Sequence, residues 1–155
     1  MLFYYFSACY KNNIILYISM TINNADKLKF TFKKKERLKS RKIIQQLFVK
    51  NKTQKIYPFK LVWTIDDSDK FTLKMGVSVS KRLFKSAVAR NRIKRKMREA
   101  IRLNKHLLLQ NLSSNNITLS FMIVYMENKD ISFDEYNLKI KQLFIRLADV
   151  IKKTE

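Results

Sequence analysis

Apolar and polar residues alternate over Phe59–Ile65 and again over Phe71–Val79, and the acidic stretch 66–69 separates the two runs. In the first run Phe59, Leu61, Trp63 and Ile65 point one way, with Lys60, Val62 and Thr64 opposite. In the second, Phe71, Leu73, Met75, Val77 and Val79 oppose Thr72, Lys74, Gly76 and Ser78. A period of two belongs to a strand with one buried face, and a short turn between two such runs predicts a hairpin. Ile117–Tyr125 predicts a third strand. Helical spacing appears elsewhere. Ile43, Ile44, Leu47 and Phe48 form one stripe behind Ser40, a good N-cap residue. Ser86 caps a long helix running to about Leu109, with Ala89, Ile93, Met97, Ala100 and Ile101 on its apolar side. The capping-box sequence Ser132–Glu135 opens a last helix, on which Tyr136, Ile140, Leu143, Leu147 and Val150 share a face. Tyr57-Pro58 marks entry to the first strand, with room for a short extra strand near Ile56. The order is α-β-β-(β)-α-β-α, an α+β chain whose helices pack one sheet in an α/β sandwich.

Residues 1–26 read as an N-terminal extension and 27–155 as one domain, a length that supports one modest core. Met1–Met20 is rich in Tyr, Phe and Ile but is broken at Lys11-Asn12-Asn13. It is interrupted too early for a membrane span of about 20 apolar residues. It also lacks the cationic start and unbroken apolar run of a signal peptide. The segment reads either as a disordered extension or as a start-site artefact, with Met20 as the actual start.

Charge changes this picture most. The chain carries 33 Lys and Arg against 12 Asp and Glu, a net charge of +21. Lys27–Lys60 holds thirteen cations and one acid, Glu36, while Lys81–Lys105 holds eleven cations and one acid, Glu99. One side of the molecule should therefore carry most of the field, and nucleic acid is the leading partner. An anionic membrane surface is the weaker alternative. Cys9 is the only cysteine, which excludes an intrachain disulfide and a cysteine-rich zinc site. His106, the only histidine, sits at the back of the basic helix. Asp66, Asp67 and Asp69 belong in a turn, where Asp bonds its own backbone. No Walker loop, zinc pattern or nucleophile motif is present. This is the sequence of a binding protein, not of a self-sufficient enzyme.

The densest charge lies in Ser86-Ala-Val-Ala-Arg-Asn-Arg-Ile-Lys-Arg-Lys-Met-Arg98, with no acid inside it. Arg90, Lys94, Arg98 and Arg102 are four residues apart and stack on one helical face. Like charges at that spacing destabilise an isolated helix by about 0.2–0.5 kcal/mol per pair, which packing or a polyanion must offset. Arg90-Asn91-Arg92 offers planar, directional donors suited to phosphates and base edges. An RNA-contacting helix accounts for that better than a solvated face does. For Ile44, Phe48 and Trp63 the spacing favours core packing. The other reading is a cleft in which unpaired bases stack on Phe48 and Trp63.

Over roughly Phe30–Ile151 the chain resembles the bacterial ribonuclease P protein component family. The resemblance rests on Met75-Gly-Val-Ser-Val-Ser-Lys-Arg82, followed by Ala87-Val-Ala-Arg-Asn-Arg-Ile-Lys-Arg95 and Arg98. It implies a non-catalytic protein subunit that pairs with a large catalytic RNA in an endoribonuclease. That holoenzyme removes the 5′ leader of precursor tRNA, with Mg2+ held mainly by the RNA. It implies a βαβ crossover of left hand, against the general rule. It assigns Lys81, Arg90, Asn91, Arg92, Lys94, Arg95 and Arg98 to RNA contact, and Ile44, Phe48 and Trp63 to a central cleft that holds the single-stranded leader. A cytoplasmic location follows, with no membrane and no obligate protein partner. A ribosomal type of structural RNA-binding protein is the competing class. This chain departs from the family at Ile44, where an aromatic is frequent, and at Leu83-Phe-Lys-Ser86, which replaces a loop that often contains Gly-Asn.

Overall fold

The computed structural model describes residues 32–50, 52–69, 71–112 and 117–153. The extension 1–26 and its proposed start at Met20 lie outside the described residues. A 3-10 turn at Lys34–Glu36 leads into α1 (Arg41–Lys50), β1 (Lys52–Ile56), β2 (Phe59–Asp67) and β3 (Thr72–Val79). Then come α2 (Ala87–Asn104), α3 (His106–Leu112), β4 (Ile117–Tyr125) and α4 (Phe133–Lys152).

The helices start where their caps place them. Ser40 Oγ accepts from the Ile43 amide and Ser86 Oγ from the Ala89 amide, each at 3.5 Å. Ser132 and Glu135 form the reciprocal capping box expected of that sequence. The long helix from Ser86 is interrupted at Lys105, giving α2 and α3 in place of one helix to Leu109. Val150 is 38% exposed, and Ile151 takes its place in the core at 1%.

The sheet order is β1-β2-β4-β3. This corrects the expected hairpin: β2 and β3 do not pair, because β4 lies between them, antiparallel to β2 and parallel to β3. The hairpin is β1–β2, turned by Tyr57-Pro58, which makes the extra strand near Ile56 real. The physical reason lies in β4. Ser120, Phe121, Met122 and Ile123 are all buried, so both faces of this strand are covered and it belongs inside the sheet. Helix α2 makes the crossover between parallel β3 and β4.

Two layers of helix cover the sheet. On one face α2, α3 and α4 enclose the main core, which includes Phe59, Leu61, Met97, Phe121, Ile140 and Phe144. On the other face α1 sets Leu47 on Val62 and Met122 in a small second cluster, with Leu38, Ile44 and Val124 beside it. The lead-in chain is fastened to the free edge of β3, where the Leu38 amide donates to the Met75 carbonyl at 2.9 Å.

That lead-in is tied down a second way. Lys105, 4% exposed at the break between α2 and α3, meets Glu36 Oε1 at 2.8 Å. The other oxygen, Oε2, accepts the Lys33 amide at 3.0 Å. The only acid of the first basic window is thus consumed inside the fold, and the only acid of the second, Glu99, pairs with Arg102 at 2.6 Å.

Candidate nucleic-acid interface

Helix α2 buries Ile93, Met97, Ala100, Ile101 and Asn104, so its remaining arc faces away from the core. Asn91, Arg92 and Arg95 are exposed, while Lys94 and Arg98 are half-buried. Lys81 and Arg82, in the turn after β3, are exposed as well. The helix therefore presents a cationic outer face continuous in sequence with a cationic turn.

The family-motif residues do not all point outward. Arg90 folds back, and its Nη1 donates to the carbonyls of Phe84 at 2.8 Å and Lys85 at 2.7 Å. It shapes the loop that enters α2, so its contribution to any RNA contact runs through that loop. Arg92 Nε lies 3.3 Å from Asp130 Oδ2. Lys96, inside the same basic run but outside the family motif, reaches the same oxygen at 2.9 Å.

A groove runs between α1, the lead-in chain and the second face of the sheet. Phe32, Leu38, Ile44, Met75, Gly76, Val77 and Met122 supply apolar lining, and Arg37, Lys39 and Arg98 supply charge. Gly76 is the chain's only glycine. A Cβ there would stand 3.2 Å from Met122 Cε and 3.5 Å from Leu38 Cβ, so glycine permits the close approach that forms the floor. A lone glycine inside a strand pattern was the sequence signal for this groove. The rim residues Arg37 and Lys39 carried no signal beyond their charge.

The groove concentrates positive charge. Partial burial holds Arg98 below the usual guanidinium range, and the charges of Arg37 and Arg95 lower it further. Arginine remains protonated at neutral pH under such a shift, so these groups repel one another until an anion arrives.

The expected cleft of Ile44, Phe48 and Trp63 needs correction. Ile44 lines the groove, and Phe48, one turn further along the same helix face, is 49% exposed. Trp63 is 3% exposed and belongs to the main core on the opposite face of the sheet. Strand alternation is the cause: Val62 faces α1, so Trp63 must face away. Lys52 Nζ, on the neighbouring strand β1, sits 5.0 Å from the Trp63 ring centroid.

Among the described residues no group of three His, Cys, Asp or Glu side chains could hold a metal ion. No helix among them is long and apolar enough to cross a membrane.

Fold and surface together define a basic, single-sheet α+β protein with a cationic helix beside an apolar, cation-rimmed groove. The family model for ribonuclease P matches residues 32–148, and the chain belongs to that family. The ribonuclease P protein component of Porphyromonas gingivalis W83 is 38% identical over 122 residues, covering 77% of this chain and 88% of the relative. That of Bacillus velezensis is 32% identical over 123 residues, covering 79% and 97%. Among solved structures, the ribonuclease P protein of Thermotoga maritima superposes with a TM-score of 0.56 at 21% identity, over 72% of this chain and 96% of its own. The Staphylococcus aureus protein gives 0.53 at 22% identity, over 73% and 94%. At that identity the structures establish the shared fold.

Proposed function

We propose that this chain is the cytoplasmic protein subunit of a bacterial ribonuclease P, binding the catalytic RNA through α2 and the 5′ leader of precursor tRNA through the groove. Family membership supports the RNA partnership. One observation carries the leader reading: Arg98 belongs both to the cationic face of α2 and to the groove wall. A strand lying in the groove would meet apolar side chains with its bases and Arg37, Lys39 and Arg98 with its phosphates.

Phosphodiester hydrolysis would be the work of the RNA and its Mg2+. Among the described residues no three carboxylates come together as a magnesium site would need, and Asp130, Glu99 and Glu36 are already paired with cations. The protein's part is to hold the leader and to lower phosphate repulsion, which matters most when magnesium is scarce.

Phe48 gives the sharpest test, because it is exposed and its truncation leaves the core intact. Stacking of a base on an aromatic side chain is worth about 1–3 kcal/mol. Phe48→Ala should therefore weaken holoenzyme binding of precursor tRNA by about fivefold or more and leave mature tRNA binding unchanged. Equal affinities of variant and wild type for the precursor would refute a leader contact at Phe48.

A further inference from the structure

The carboxylate of Asp130, in the loop between β4 and α4, gathers two cations of α2, one inside the family motif and one outside it. Arg92 and Lys96 are four residues apart on α2, and both meet its Oδ2, at 3.3 and 2.9 Å. The other oxygen accepts the Tyr136 hydroxyl at 3.0 Å. Tyr136 is fully buried and stacks on Tyr125 with 5.7 Å between ring centroids. The Tyr125 hydroxyl in turn donates to the Lys129 carbonyl at 2.6 Å. The acid is thus anchored from the core. Lys96 is held again by the Ile131 carbonyl at 3.3 Å and lies 5.6 Å from the Tyr136 ring centroid.

We infer that Asp130 is a positioning residue for RNA binding: it fixes Arg92 and Lys96 as one wall of the hollow that α2 offers to a phosphodiester. That hollow is lined by Val88, Asn91, Arg92, Arg95 and Lys96. The side chain of Asp130 is 16% exposed and that of Arg92 66%, so the acid is sheltered while the arginine stands outward. Arg92 engages Asp130 through Nε, which leaves its terminal amino groups for a phosphate. A long side chain already held in place loses less freedom on binding. Scarce acids on a protein of net charge +21 would otherwise only weaken attraction to RNA.

The inference rests on α2 being the face that binds the catalytic RNA, and the test separates the two. Affinity for the cognate ribonuclease P RNA is measured over a range of salt concentrations. The proteins compared are wild type, Asp130→Asn, Asp130→Glu, Arg92→Ala, Arg95→Ala and the Asp130→Asn/Arg92→Ala double variant. Charge alone predicts that Asp130→Asn binds more tightly, with a steeper salt dependence. Positioning predicts the reverse: roughly fivefold weaker binding, with the salt slope reduced by about one as a phosphate contact is lost. The double variant should bind no more weakly than Arg92→Ala alone. Asp130→Glu, which keeps the charge but moves it by one methylene, should also weaken binding. The asparagine oxygen can still accept from Tyr136, which keeps the loop anchored. Tighter binding by Asp130→Asn, or full affinity in Asp130→Glu, would overturn the inference while losses in Arg92→Ala and Arg95→Ala uphold the RNA face. No loss in either arginine variant would overturn both.

Discussion

Replacing Lys94, Arg95 and Arg98 together by alanine is expected to lower affinity for the ribonuclease P RNA by at least about a hundredfold at physiological salt. The estimate takes about 1 kcal/mol for each charge-assisted contact to phosphate, and about 1.4 kcal/mol is tenfold. These three are the cations to remove, because their loss leaves the loop contacts of Arg90 and the Asp130 ion pairs of Arg92 and Lys96 in place. Filter binding across a salt series reads the result, with the slope of log affinity against log salt falling by about three. Thermal stability should hold or rise slightly. Alanine is the best helix former, and the change removes the Lys94–Arg98 repulsion on one face. An affinity loss under threefold would place the RNA elsewhere on the molecule.

Glu36→Ala should destabilise the fold by about 3 kcal/mol, because it leaves the ammonium of Lys105 buried without its partner. Both are largely withdrawn from water, Lys105 at 4% and Glu36 at 21% side-chain exposure, so solvent screens the pair little. Urea unfolding measures the loss. Adding Lys105→Met should recover most of it, since an apolar side chain of similar size removes the stranded charge. The consequence reaches the groove. Glu36 tethers the segment that brings Phe32, Arg37, Leu38 and Lys39 to its wall. The double variant should therefore be stable yet discriminate less between precursor and mature tRNA. Wild-type stability in Glu36→Ala alone would show that the pair does not hold the lead-in chain.

The contrast between what alternation conveys and what it omits explains how much was legible. Ser40, Ser86 and Ser132 start their helices as their hydroxyls require, and Ile117–Tyr125 is a strand from end to end. Alternation in β2 and β3 reports which side chains share a face, but not which strand supplies the ladder bonds. Proximity in sequence suggests a β2–β3 hairpin, whereas β4, buried on both faces, takes the place between them. Trp63 shows the same point from the other side. Its period places it with Phe59 and Leu61 in the core, where the structure has it; the stacking cleft is the reading that the family resemblance favours. Within the Arg90–Arg98 run, spacing gave the outer face of α2. It did not give the inward turn of Arg90 or the capture of Arg92, because both depend on loops whose shape no periodicity encodes. The Glu36–Lys105 pair, 69 residues apart, was equally out of reach.

The most direct measurement is cleavage of precursor tRNA at low magnesium by the cognate ribonuclease P RNA, with and without this protein. Strong stimulation by the wild-type chain, abolished in the Lys94, Arg95 and Arg98 triple variant, is the predicted result. Equal cleavage rates with and without the protein, under conditions where it binds the RNA, would contradict a role as the ribonuclease P subunit.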